Sequence, residues 1–199
     1  MPYSLGIYTL GCKVNQYESE AIAQLAKRRG FIIKAPTEPC DAYIINTCTV
    51  TAESDRKSRQ LIRRARSANP DARIVVMGCM SQVDPESALS IDGVSYVLGN
   101  SDKLSAVGVI VDLLEGAKRE PLFCGVAPID SAPFEPMQIE SFPRTRAYIK
   151  IEDGCESHCA YCIIPAARGK IRSKPREDVP RRVPLNTLIT RSQRRQSTG

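Results

Sequence analysis

"AYIINTCTVTAESDRKSRQLIRRARSANPDARIVVMG" occupies residues 42–78. Its opening "AYIINT" (42–47) is a short run of β-branched, aromatic and polar residues, too short for a helix, and predicts a buried strand ending at Cys48. "AESDRKSRQLIRRARSANP" (52–70) predicts a helix. Glu53 and Asp55 stand near its start and arginines near its end, which suits the helix dipole, and Pro70 closes it. "ARIVVMG" (72–78) is again a short apolar run, ending at Cys79. Strand, helix and strand in succession predict a right-handed crossover within a parallel sheet.

The same rhythm extends outward in both directions. "SLGIYTL" (4–10) predicts a strand ending at Gly11 and Cys12. Val14, Tyr17, Ala21, Ile22 and Leu25 then recur at helical spacing until Gly30 stops the pattern. "SYVLGN" (95–100) predicts a fourth strand, and residues 101–116 an amphipathic helix with Leu104, Val107, Val111 and Leu114 on one face. The fold class is therefore α/β, with an N-terminal parallel-sheet domain over residues 1–120. Cys12, Cys48 and Cys79 each follow a strand and precede a helix, 36 and 31 residues apart. A parallel sheet brings such positions to one rim, outside the carboxyl ends of its strands, where ligands gather.

A chain of 199 residues holds one domain and part of another, and 42 % hydrophobic with 25 % charged residues is ordinary for a soluble protein. The N-terminus lacks the basic region of a signal peptide, and no apolar run approaches the ~20 residues needed to cross a bilayer. A cytoplasmic protein without a membrane partner is expected. The net charge of +6 resides in the tail: residues 1–171 carry 20 basic and 20 acidic residues, whereas 172–199 carry 8 and 2. It says little about the folded body. Eight cysteines in a chain with no export signal point to metal binding or catalysis rather than to disulfides.

Residues 121–143 hold five prolines and no clear period, as a linker would. "TRAYIKI" (145–151) reads as a strand that opens a second domain, with Ala147, Ile149 and Ile151 alternating. It leads into "DGCESHCAYCIIPAARGK" (153–170), where Cys155, Cys159 and Cys162 stand in a C-x3-C-x2-C pattern. Three thiolates on a four-iron cluster leave one iron open to another ligand. A zinc site would need His158, the single histidine, as fourth ligand. His158 directly follows Ser157 and abuts Cys159, which is poor geometry for both to hold one ion, and structural zinc sites usually draw on two paired motifs.

"GCESHCAYCIIPAARGKIRSKP" resembles the cluster loop of the radical S-adenosylmethionine methylthiotransferases, and "YTLGCKVNQYESE", "INTCTVTAESDRKSRQ" and "VVMGCMSQ" resemble the three cysteine motifs of that family's N-terminal domain. The resemblance runs from about residue 3 to 178. It implies two 4Fe-4S clusters. Cys155, Cys159 and Cys162 would hold the catalytic one, whose open iron binds S-adenosylmethionine and whose electron cleaves it to a 5′-deoxyadenosyl radical. Cys12, Cys48 and Cys79 would hold an auxiliary cluster carrying the sulfur to be transferred. Tyr161 and Asn15 would be further cofactor-binding residues, tRNA the macromolecular partner, and an electron-donor protein the source of reducing power. Helix capping is an alternative role for Asn15, and Gln16 lies beside it.

The motifs around the cysteines most resemble the subgroup that modifies threonylcarbamoyladenosine at position 37 of tRNA. Isopentenyladenosine of tRNA and an aspartate of a ribosomal protein are the family's other substrates. The basic helix positions Arg56, Lys57, Arg59, Arg63, Arg64 and Arg66 read either as phosphate contacts or as a solvated face. Arg168, Lys170, Arg172 and Lys174 read either as phosphate or cofactor contacts or as an exposed basic loop. Cys40 and Cys124 match no motif and read as incidental or core thiols.

The family's cluster loop opens a β/α barrel, and a complete one takes ~250 residues. Only 37 residues follow Cys162. Residues 144–178 are thus expected to be the start of an incomplete radical S-adenosylmethionine domain, and 179–199 an irregular basic tail whose composition resembles disorder or a shifted reading frame. A truncated methylthiotransferase with absent or impaired turnover is expected. The competing readings are an inactive iron–sulfur or RNA-binding fragment and a zinc-binding interaction domain.

Overall fold

The computed structural model describes residues 2–49, 51–116, 124–140 and 148–179. Its body is a six-stranded sheet built from β1 (Ser4–Thr9), β2 (Ile32–Lys34), β3 (Ala42–Thr47), β4 (Arg73–Gly78), β5 (Val94–Leu98) and β6 (Cys124–Gly125), in the order β2-β1-β3-β4-β5-β6. Every neighbouring pair is parallel. The helices of the body are α1 (Lys13–Arg28), α2 (Ala52–Ala68), α3 (Cys79–Val83), α4 (Pro85–Leu89) and α5 (Ser105–Leu114). A small second unit follows, with β7 (Glu152–Asp153) and β8 (Arg172–Ser173) paired antiparallel on either side of α6 (Ile164–Arg168).

Strand burial explains why both faces of the sheet are covered. All six residues of β3 are buried, and five of the six in β4. Such near-continuous apolar runs belong to parallel sheets flanked by helices on both sides. On one face Leu5, Ile44, Val75, Met77 and Leu98 meet Ile22 and Ala26 of α1 and Ala106, Val107 and Ile110 of α5. On the other, Tyr43, Ile45, Ile74, Val76 and Val97 meet Ile62 and Ala65 of α2 and Ala88 of α4. Thr51 caps α2, its hydroxyl accepting from the Ser54 N–H at 3.1 Å.

Several sequence expectations need adjustment. Two strands, β2 and β6, had no counterpart in the periodicity; they are three and two residues long and lie at the sheet's two edges. The expected 121–143 linker contributes β6, and its described residues lie on the body: the Tyr17 hydroxyl donates to Met137 O at 2.9 Å, and Met137 packs on Tyr17 and Ala21. The strand expected over 145–151 is not formed where it can be seen, at 148–151. Pairing with β8 begins at Glu152 and extends back only through the Lys174 N–H to Ile151 O bond, which leaves Ile149 and Ile151 about half exposed. Residues 145–147 and the expected basic tail beyond Val179 lie outside the described residues. Among the described residues no helix is long and apolar enough to cross a membrane.

Candidate functional site

β1, β3 and β4 end at the same level. Thr9 pairs with Asn46, Asn46 with Met77 and Thr47 with Gly78, so Cys48 and Cys79 leave adjacent strands side by side. Gly11 lies against Cys48: a side-chain carbon on Gly11 would come within 2.7 Å of Cys48 Sγ. Cys12 is the N-cap position of α1 and is exposed, whereas Cys48 and Cys79 are buried. The rim predicted from strand ends is therefore present. Cys40 is buried near the opposite, N-terminal end of β3 and does not join it.

Cys155, Cys159 and Cys162 lie together on the loop between β7 and α6, with Cys159 exposed and the other two half-buried. The loop is closed at its base by the Cys155 N–H donating to Gly169 O at 3.0 Å, and internally by the Cys162 N–H donating to Cys159 O at 2.9 Å. Backbone and hydroxyl hydrogen bonds from Ser157 pull the Cys155 thiol below its ordinary range. Tyr161 is 92 % exposed at the loop's tip. Among the described residues no three His, Cys, Asp or Glu side chains form a group able to hold a metal ion as they stand.

The elements that carry the two cysteine sets meet at a buried polar joint. α6 packs on α3, the helix that Cys79 begins. The Asn100 amide donates to Ala167 O at 2.6 Å and lies 3.6 Å from Cys79 Sγ. Arg168 reaches the rim: Nη2 donates to Asn15 Oδ1 at 2.6 Å, and Nη1 to Asp153 at 2.8 Å and Glu18 at 3.2 Å. Glu18 is the hub, accepting also from Lys103 and, at 2.7 Å, from Lys150. Lys150 closes the ring on Asp153 at 2.6 Å. Arg172 stands at the margin, 3.6 Å from Asp153.

The electrostatics follow from this packing. Burial opposes ionisation of Glu18, yet Lys103, Arg168 and Lys150 outweigh it and hold the carboxyl well below the usual range. Asp153 is lowered for the same reason, burial being overcome by Arg168 and Lys150. Arg168 is pushed up, burial being overcome by Glu18 and Asp153. Lys103 is pushed down, burial outweighing Glu18.

Three sequence readings change here. Arg168 belongs to no exposed basic loop; it is 5 % exposed, because the fold offers it two carboxylates and an amide oxygen in the joint. Asn15 does not cap α1, whose N-cap makes no side-chain hydrogen bond. Its amide instead donates to Leu10 O at 2.7 Å and Thr47 O at 2.9 Å, tying the ends of β1 and β3 together, with its oxygen 4.0 Å from Cys12 Sγ. Glu18, Lys103, Lys150 and Asp153 were not anticipated. A signal existed for Glu18, which falls four residues from both Val14 and Ile22, on the apolar stripe of α1.

The basic face of α2 remains at the surface. Arg56, Lys57, Arg63, Arg64 and Arg66 are exposed, with Arg56 paired to Glu53 at 2.8 Å, while Arg59 donates to Ser87 Oγ at 2.6 Å.

Residues 4–99 match the family model described as "Uncharacterized protein family UPF0004". The chain is similar to the threonylcarbamoyladenosine tRNA methylthiotransferase MtaB of Bacillus subtilis (strain 168), 45 % identical over 178 residues, covering 88 % of this chain and 39 % of the relative. It is similar to the protein of the same name from Aquifex aeolicus (strain VF5), 32 % identical over 89 % of this chain and 43 % of the relative. A third relative is the ribosomal protein uS12 methylthiotransferase RimO of Pelotomaculum thermopropionicum, 33 % identical over 90 % of this chain and 40 % of the relative. The chain thus spans about two fifths of the length of the curated relatives it matches. Residues 4–99 thus carry the UPF0004 domain, and over most of its own length the chain is similar in sequence to these methylthiotransferases.

Proposed function

We propose that the chain carries the cysteine sites of a tRNA methylthiotransferase of the radical S-adenosylmethionine type, acting at C2 of N6-threonylcarbamoyladenosine at position 37. The observation that carries this reading is the joint itself: two separate sets of three cysteines stand on elements linked through Asn100 and Arg168. The donor chemistry fits iron–sulfur clusters. Each set offers three soft thiols, and Gly11 leaves room beside Cys48 that any side chain would fill. When bound, the loop cluster supplies the electron that reductively cleaves S-adenosylmethionine, and the rim cluster supplies an open iron for the sulfur to be transferred.

The chain's own residues do the positioning. Cys155, Cys159 and Cys162 would hold the loop cluster, and Cys12, Cys48 and Cys79 the rim cluster. Tyr161, exposed at the loop tip, would lie against bound S-adenosylmethionine, and the exposed Cys159 would face an electron-donor protein. Asn15, between Cys12 and Arg168, orients the rim. Arg63, Arg64 and Arg66 present charge suited to tRNA phosphates. Threonylcarbamoyladenosine is preferred as substrate because relatives named for it reach 45 % identity, against 27 % for one named for dimethylallyladenosine.

Anaerobic reconstitution with iron and sulfide tests the reading. The chain is expected to bind about four irons at each site, with Cys12→Ala and Cys155→Ala each abolishing one set independently. Zinc uptake without iron would overturn it. Assays of S-adenosylmethionine cleavage, and of methylthiolation on tRNA bearing either modified adenosine, then decide turnover and substrate.

A further inference from the structure

Asn100 is not a candidate ligand, yet it is the polar side chain seated on Cys79. Its amide nitrogen lies 3.6 Å from Cys79 Sγ, within reach of an N–H···S hydrogen bond. The residue is 4 % exposed, and its position is over-determined: its backbone N–H donates to Gln82 Oε1 at 2.8 Å, and its amide also donates to Ala167 O. Both neighbours of the amide nitrogen are acceptors, so the nitrogen, not the oxygen, faces the sulfur. Amide Oδ1 is left buried with no hydrogen-bond partner, a cost the fold accepts to keep the N–H pointed at Cys79.

Behind Asn100 stands an excess of buried positive charge. Among the described residues, buried Lys103, Lys150 and Arg168 share two paired carboxylates, Glu18 and Asp153, with Arg172 at the margin. Glu135, the next acid, is pushed up to about 7 by burial and so contributes at most part of a charge near neutrality. Lys103 Nζ lies 3.3 Å from Asn46 Oδ1, two residues before Cys48, and Arg168 reaches Asn15 Oδ1, which is 4.0 Å from Cys12 Sγ. Buried charges are ordinarily balanced. Positive charge in this joint favours an anionic group on the adjacent cysteine rim.

Resting on the cluster reading above, we propose that Asn100 and Lys103 are positioning residues that set the reduction potential of the iron–sulfur group on Cys12, Cys48 and Cys79. Reduction adds one electron to that group and so one negative charge. A hydrogen bond to a ligating sulfur and a nearby buried cation stabilise the reduced form more than the oxidised form, and so raise the potential. Removing either lowers it.

The test uses the full 199-residue chain with Cys155, Cys159 and Cys162 changed to Ala, so that only the rim site loads. After anaerobic reconstitution, the protein is titrated with dithionite and the reduced cluster followed by electron paramagnetic resonance. Asn100→Leu is expected to lower the reduced-to-oxidised ratio at fixed potential about tenfold, which for a one-electron couple is ~59 mV. Asn100→Asp, isosteric but without the donor and with an added negative charge, lowers it further. Lys103→Met lowers it in the same direction, and Lys103→Arg restores it. Unchanged potentials at full iron content would overturn the proposal, as would loss of iron in both Asn100 variants, which marks a purely structural role. Failure of the parent chain to take up iron that Cys12→Ser removes would sink the cluster reading itself, and this proposal with it.

Discussion

Gly78 ends β4 and begins α3 at φ +109°, in a region that side chains rarely adopt. A Cβ there would lie 2.5 Å from Thr47 O and 2.8 Å from Asn46 Oδ1. Both atoms belong to the last two residues of β3, just before Cys48, so Gly78 is what lets the strands carrying Cys48 and Cys79 meet at one level. Gly30 has a comparable φ of +88° but nothing within 4 Å of its would-be Cβ. Gly30→Ala should therefore show only the backbone penalty, about 1–2 kcal/mol. Gly78→Ala should cost at least ~1 kcal/mol more, because strain and contact add. Urea unfolding of the two variants measures the difference, and equal losses would show that the close approach at Gly78 has no energetic weight.

At the scale of elements, the segment around Glu135 is tied to the start of α5 through a titrating group. Glu135 Oε1 accepts from the Leu104 N–H at 2.7 Å at the start of α5, while Oε2 is buried without a partner. Burial raises its carboxyl to about 7, partly offset by the backbone N–H groups of Leu104 and Lys103 and by Lys150. A carboxyl whose folded value exceeds its unfolded one binds more protons when folded, so stability falls as pH rises from about 4.5 through 7. Between pH 5 and pH 8 the chain should lose on the order of 1–3 kcal/mol through this group, discounted for its partial exposure. Glu135→Gln keeps the acceptor for Leu104 and should flatten that slope in thermal or urea unfolding; an unchanged slope would exclude Glu135 as its source.

Elements and rim were legible in the sequence for definite reasons. β3 and β4 are short, β-branched and buried on both faces, and α2 carries its charge asymmetry and Pro70, so each announces itself locally. β2 and β6 do not, because edge strands of three and two residues have no room for a period. The strand-end placement of Cys12, Cys48 and Cys79 followed from the β-α rhythm, and the grouping of Cys155, Cys159 and Cys162 on one loop from their spacing. The joint was not legible, because its partners are 85, 132 and 150 residues apart and no local pattern couples them. Arg168 shows the difficulty: among Lys170, Arg172 and Lys174 it looks like one basic residue of four, and only the fold separates it.

For the whole molecule, Arg168 decides whether the cysteine loop and the sheet behave as one body. It is the last residue of α6, and its guanidinium engages Asn15, Glu18 and Asp153 at once, a fork that a single ammonium cannot reproduce. Arg168→Met leaves Glu18 paired with Lys103 and Lys150, and Asp153 with Lys150, so no carboxylate is stranded. The loss is therefore smaller than for a fully broken buried pair, about 2–3 kcal/mol against the usual 3–5 kcal/mol. It falls on the attachment of residues 148–179 rather than on the sheet, whose core contains no residue of that unit. Proteolysis of a transiently opened segment follows its opening equilibrium, and each 1.4 kcal/mol is tenfold. Limited proteolysis of the full chain should cut Arg168→Met within the cysteine loop at least ~10-fold faster, with a fragment carrying the sheet surviving at its former rate. Arg168→Lys should fall between the two, since it keeps the charge but not the fork. Equal cleavage rates in all three chains would mean that the remaining contacts, α3, Asn100 and the Lys150–Glu18 pair among them, hold the loop to the rim without Arg168.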